Sequence, residues 1–256
     1  MEPKYCSIGI VHYAKVDDHG TEGKDRSEVM KESLLSLFEN TDYPAEIIVM
    51  DNGGSTDDTD WLVDRVREGK INTLVRYKEN MSFAFAWNQF FRMATGDYVC
   101  FSCNDIKFKK GWLTQTIAGL EKYPDRKLIA APYITPDKDR PNFNKEVLED
   151  KYRINSMAGS NCMVMKPESF REIGQIPQHR IGGSIWHRMM VGKGYLVIVP
   201  PVDMVEHIAW RAGVNWRKPI KVERTLLDNS IINFHYANYR HNVKKGHQKD
   251  AGIPLP

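Results

Sequence analysis

Three short clusters hold the residue types that could do chemistry: Asp51 to Thr59, reading DNGGSTDDT, the pair Asn104-Asp105, and His207. Asp51 follows the apolar run EIIVM, so it stands where a strand ends. A carboxylate there can accept hydrogen bonds from a ribose or from an imide edge such as that of uracil. Gly53 and Gly54 permit positive φ and close approach to the backbone. The same stretch also reads as a capped strand-to-helix turn. Asn104 and Asp105 close the apolar run in GDYVCFSCND. A carboxylate and a carbonyl oxygen are hard ligands, suited to Mg2+ or Mn2+ carrying a diphosphate. The plainer alternative is an Asx turn. His207 ends the strand-like run LVIVPPVDMVE. Alone it is a structural histidine, and it gains meaning only in a site shared with Asp105.

These residues need elements to position them. CSIGIVHY, EIIVM, NTLVRY and DYVCFS are short apolar runs suited to buried strands. Between them, SEVMKESLLSLFEN, DDTDWLVDRVREG and SFAFAWNQFFRMAT carry apolar residues at helical spacing. Ser55 or Thr56 caps the second helix, Asp57 and Asp58 favour its positive first turn, and Gly69 closes it. GWLTQTIAGLEKY continues as helix, KLIAAPY as strand, NCMVMKPESFREIG as strand and helix, SIWHRMMVGKG as helix and YLVIVP as strand. The segment 135–152 reads as a long charged surface loop, and ERTLLDNSIINFHYANYR as a helix in a basic tail. Alternating strands and helices predict an α/β fold with a mostly parallel sheet covered on both faces. Ligands of such sheets bind outside the carboxyl ends of the strands, where both acidic clusters fall.

The chain has 256 residues, a net charge of +3, four Cys, six Trp and eleven Tyr. That charge is too small to imply nucleic acid by itself, although RHNVKKGHQK near the end is basic. Cys100 and Cys103 form a CxxC with no second CxxC and no nearby His pair, which argues against zinc. The four cysteines read as reduced, mostly buried thiols, the pattern of a cytoplasmic protein. No signal peptide and no long apolar span is expected.

Taken in order, these stretches resemble family 2 glycosyltransferases of GT-A fold, over about Ser7 to His207. DRSEVMKESLLSLFEN resembles the family's Arg-containing loop and first helix, and EIIVMDNGGSTDDT its nucleotide-binding turn. ENMSFAFAWNQFFRMATGDYVCFSCND shares Asn80, Phe83, Asn88, Gly96, Asp97 and Asp105 with the family pattern. AGSNCMVMKPESFREIG resembles the segment framing the acceptor side. The resemblance implies a Rossmann-like GT-A domain over residues 1–210, with a nucleotide-sugar half (1–110), an acceptor half (111–210) and a C-terminal extension (211–256). It implies a nucleoside-diphosphate sugar donor, UDP-linked by expectation, bound by His12, Asp51, Gly53, Asn80, Phe83, Asn88 and Asn104. It implies a divalent cation, Mn2+ or Mg2+, held by Asp105 and His207. Asp105, Arg188 and Asp203 are the expected catalytic residues. The expected acceptor is a hydroxyl on a glycan or a lipid-linked carrier, or on a modified DNA base if the basic tail binds nucleic acid.

Two departures stand out. The metal motif reads Cys103-Asn104-Asp105, with Cys at the usual first carboxylate. The acidic pair expected before the family's Arg falls on Ile181 to Gly183, with no carboxylate. An inverting transfer needs a base within hydrogen-bond reach. His179, His187, Asp203 and Glu206 are possible substitutes, the first two also reading as ordinary loop and helix-surface residues. Retention with the departing phosphate as base is a second route, and a catalytically inactive sugar-nucleotide binder a third. A nucleotidyltransferase is disfavoured, because CSIGIVHYAKVDDHG lacks a Gly-rich phosphate loop with a following Lys. Aromatic residues of the tail suggest either a stacking surface or an amphipathic helix over the site.

Overall fold

The computed structural model describes residues 4–13, 26–133, 144–155, 161–178 and 182–208. Four parallel strands form its first half: β1 (Cys6–His12), β2 (Ala45–Asn52), β3 (Thr73–Tyr77) and β4 (Tyr98–Cys103). The helices between them are α1 (Arg26–Asn40), α2 (Thr56–Arg67) and α3 (Phe83–Met93). The short β5 (Ile106–Phe108), then α4 (Trp112–Lys122) and β6 (Leu128–Ala130) follow. Next come β7 (Asn144–Val147), β8 (Arg153–Asn155), β9 (Cys162–Met165), α5 (Pro167–Ile173), α6 (Gly182–Gly192), β10 (Leu196–Val199) and β11 (Val205–His207).

Nine strands make one sheet in the order β3-β2-β1-β4-β9-β6-β10-β8-β7, and β11 pairs with β5 in a separate two-stranded sheet. Only β9 and β8 run against the rest of the large sheet. The mostly parallel α/β architecture expected from the sequence is therefore present. β1 is buried at all seven positions, which is why it shows no polar alternation: both faces are covered. Alternate residues of β2 serve opposite layers. Ile47 and Val49 face a core with Met30, Leu34 and Leu37 of α1, Leu62 of α2 and Trp112 of α4. Ile48 and Met50 face a second core with Phe90 of α3, Phe170 of α5 and Trp186 of α6. Each such large side chain contributes about 1.5–3 kcal/mol on burial. Gly9 lets the Phe90 ring lie on β1, where a Cβ would overlap the ring.

Three sequence expectations need correction. β2 does not stop at Met50 but runs on through Asp51 and Asn52. The expected loop 135–152 includes β7, which pairs antiparallel with β8 at the edge of the sheet. The β5–β11 ladder was not anticipated, because three-residue strands carry no period to read. The expected helix at 223–240 lies outside the described residues, as does the whole 211–256 extension. All four cysteines are free thiols, as expected. No helix among the described residues is long and apolar enough to cross a membrane.

Candidate functional site

β1 and β2 end side by side, with His12 in register with Asp51. Both side chains are fully buried. Asp51 Oδ1 accepts from the Gly54 N–H at 2.8 Å, and Oδ2 accepts from the Thr59 hydroxyl at 2.6 Å. The Arg76 guanidinium lies 3.9 Å from Oδ2. Asp51 thus folds the turn and ties it to α2. Ser55 caps that helix by accepting from the Asp58 N–H at 3.2 Å. Gly53 has φ +83°, and a Cβ there would come within 2.8 Å of the Asn80 nitrogen. That close approach brings the 79–82 loop onto the turn. Asn52 Nδ2 donates to Asn80 Oδ1 at 2.9 Å, and its Oδ1 accepts from the Met81 N–H at 2.9 Å. Ser82 caps α3, and Phe83 begins it.

His12 occupies the middle of a second chain of contacts. Its Nε2 lies 3.2 Å from Asp58 Oδ2, and its Nδ1 lies 3.0 Å from Asn104 Nδ2. The Ser27 hydroxyl donates to the other Asp58 oxygen. Burial by itself would raise the Asp58 carboxyl, but hydrogen bonds with His12, Ser27 and Ser55 outweigh it and hold the group far below the usual carboxylate range. Asp58 was visible in the sequence only as a favourable first-turn charge. Its contact with His12 spans 46 positions, and no local signal announces it.

Asp105 and His207 do come together. The β5–β11 ladder sets His207 opposite Ile106, and the Ile208 N–H donates to the Asp105 carbonyl at 2.8 Å. His207 Nε2 stands 3.4 Å from Asp105 Oδ2. Asp105 Oδ1 is buried with no hydrogen-bond partner. Burial raises the Asp105 carboxyl, opposed by His207, a backbone hydrogen bond and Arg26. Burial likewise lowers His207, opposed by Asp105. An orphaned carboxylate oxygen beside an imidazole fits a hard divalent cation. No cluster of three or more His, Cys, Asp or Glu among the described residues could hold a metal ion. Two protein donors suit a cation that takes its remaining oxygens from a diphosphate and water.

Other expected site residues stand apart. Asp203 is half exposed, 3.4 Å from Arg153, with its carbonyl accepting from Lys109 Nζ. It lies at the Lys109 end of the β5–β11 ladder, whereas His207 lies at the Asp105 end. Glu206 is exposed on β11 opposite Lys107. Arg188 is on the exposed side of α6, while Trp186, His187 and Met190 face inward. His187 is therefore a buried residue and not the helix-surface residue of the plain sequence reading. Burial lowers its pKa to about 4. His179 lies outside the described residues. Asn88 is buried in mid-α3, donating to the Ile176 carbonyl at 2.8 Å and accepting the Ile176 N–H at 2.9 Å. Its amide clasps the segment before α6 to the helix.

The profile of Glycosyl transferase family 2 matches residues 24–191, more than half of the chain. The chain belongs to that family. No curated protein matches it in sequence. Its fold is similar to the mannosyltransferase PcManGT of Pyrobaculum calidifontis in complex with GDP-Man and Mn2+, at TM-score 0.63 and 18% identity over 84% of this chain and 59% of that one. It is similar to GalNAc-T7 with UDP, GalNAc and Mn2+, at TM-score 0.61 and 13% identity over 80% of this chain and 44% of that one. It is also similar to S. aureus TarS 1-349 in complex with UDP-GlcNAc, at TM-score 0.56 and 17% identity over 81% and 61%. At these identities the likeness establishes the GT-A fold. The chain spans 44% to 61% of the length of these three structures.

Proposed function

We propose that this family 2 chain transfers a sugar from a nucleoside-diphosphate donor, UDP-linked by preference, to a hydroxyl acceptor with the help of Mn2+ or Mg2+. The pairing of Asp105 with His207 beside a buried, unpartnered carboxylate oxygen carries the reading. Those two residues would hold the cation, which supplies positive charge to a leaving diphosphate. The nucleoside would lie over the Gly53–Gly54 turn, against Asn80, Phe83, Asn104 and Arg76. Because Asp51 is fully buried, its contribution is to shape that turn, with direct contact only if the turn opens. Four free thiols suit a reducing, cytoplasmic compartment.

For the stereochemical course we favour retention of configuration. Among the described residues, the first turn of α6 has no acidic residue, His187 is buried, Asp203 is engaged by Arg153 and Glu206 is exposed opposite Lys107. With none of these placed as a base, the departing phosphate would take the acceptor proton. The anomeric configuration of the product, read by NMR, decides between the two courses.

Thermal shifts test the donor reading, since a ligand that binds only the folded chain raises its apparent stability. UDP-, GDP-, dTDP- and CMP-sugars are compared with and without Mn2+ on wild type and Asp105→Asn. A shift with one nucleotide that needs Mn2+ and is lost in the variant is expected. A donor shift indifferent to both metal and variant would overturn the metal-dependent reading.

A further inference from the structure

Asp58 and Asn104 belong to segments far apart in the sequence, yet one buried imidazole touches both. The tautomer of His12 follows from its partners. Asp58, held deprotonated by its hydrogen bonds, can only accept, so His12 Nε2 must carry the proton. With the proton on Nε2, Nδ1 can accept from the side-chain NH2 of Asn104, which stands 3.0 Å away. The bond to Asp58 therefore sets the direction of the bond to Asn104. Ser27, at the start of α1, completes the set through its hydroxyl on Asp58. The β1 end, the first turn of α1, the first turn of α2 and the β4–β5 turn are all tied to this ring.

We infer that His12 is a positioning residue for the metal site: through Nδ1 it fixes Asn104, and with it the adjacent Asp105, in the arrangement that faces His207. The inference rests on the metal-dependent reading above. Residues that orient a metal ligand without touching the ion typically change metal affinity by about 10–100-fold when replaced. His12 is fully buried, so in this arrangement it meets the donor only through Asn104.

The two nitrogens of His12 have separable roles, and amide substitutions can separate them. In His12→Gln the longer amide reaches the Nε2 position and keeps a donor for Asp58, but leaves Asn104 unpartnered. In His12→Asn the shorter amide places an acceptor near the Nδ1 position. Ser7→Ala is the control. It removes another polar clasp of β1, in which Ser7 Oγ accepts the Thr95 and Gly96 N–H groups at the opposite end of the strand.

Mn2+ binding is read by EPR of the free ion, alone and with saturating UDP or GDP, on variants shown folded by circular dichroism at the same temperature. His12→Gln is expected to lose about 10–100-fold in Mn2+ affinity. His12→Asn should retain most of it, and Ser7→Ala should lose stability but keep wild-type affinity. Wild-type Mn2+ affinity in His12→Gln would overturn the inference and leave the function reading standing. Equal losses in His12→Gln and Ser7→Ala would overturn it in favour of general loosening. A wild-type chain that binds no Mn2+ under any of these conditions would overturn both.

Discussion

His12 and Asp51 are register partners at the ends of neighbouring strands, and each is held by a different residue of one helical turn, His12 by Asp58 and Asp51 by Thr59. The stretch DNGGSTDDT therefore builds a braced turn first. Thr59→Val removes a donor from a buried carboxylate while keeping the shape of the side chain. It should cost about 1–3 kcal/mol. Thr59→Ser keeps the hydroxyl and should cost clearly less. Urea midpoints of the two variants check the ordering, and equal losses would show that the methyl group matters more than the bond to Asp51.

Gly53 combines a left-handed backbone with the close approach of Asn80. An alanine there is strained whatever the space, at about 1–3 kcal/mol. It must also push away the 79–82 loop, which Asn52 holds on the other side through Asn80 and Met81. Gly53→Ala should therefore weaken the donor-induced thermal shift as well as lower the urea midpoint. A stability loss with an unchanged donor shift would place the nucleoside away from this turn.

Asn88 matches the family pattern, but its amide is spent on both backbone groups of Ile176. Asn88→Ala leaves a buried N–H and a buried carbonyl without partners. The expected loss is about 2–4 kcal/mol. Donor affinity, measured by titration calorimetry well below the melting temperature, should stay at the wild-type value. A fall in affinity in the folded variant would return Asn88 to the binding surface.

The sequence showed most clearly what is local and periodic. β1 to β4 and α1 to α3 were legible because their apolar runs, caps and glycines sit within a dozen residues of one another. The meeting of Asp105 and His207 was expected only through the family resemblance, since 102 positions separate them and the β5–β11 ladder that joins them has no period. The same limit hid the link from His12 to Asp58. It also hid the surroundings of Asp203, which stands beside Arg153 and Lys109. His187 looked like a surface residue because a polar side chain at one helix position says nothing of the face that the next layer covers.

His187 gives the fold a predictable acid sensitivity. Burial lowers its pKa from 6.5 to about 4, so the folded chain keeps the ring neutral where the unfolded chain would protonate it. Between those pH values unfolding takes up a proton, and stability falls as pH drops. The contribution is fully present above about pH 6.5 and is exhausted below about pH 4. The separation is worth about 3 kcal/mol. His207, also lowered by burial, adds in the same direction, and Asp105, raised by burial, opposes it. Comparing wild type with His187→Leu isolates the one ring. The urea midpoint of wild type should drop between pH 7 and pH 4.5, and that of His187→Leu should drop less. Parallel losses would mean that the imidazole gains its proton without cost, and that the α6 interface opens to water long before the chain unfolds.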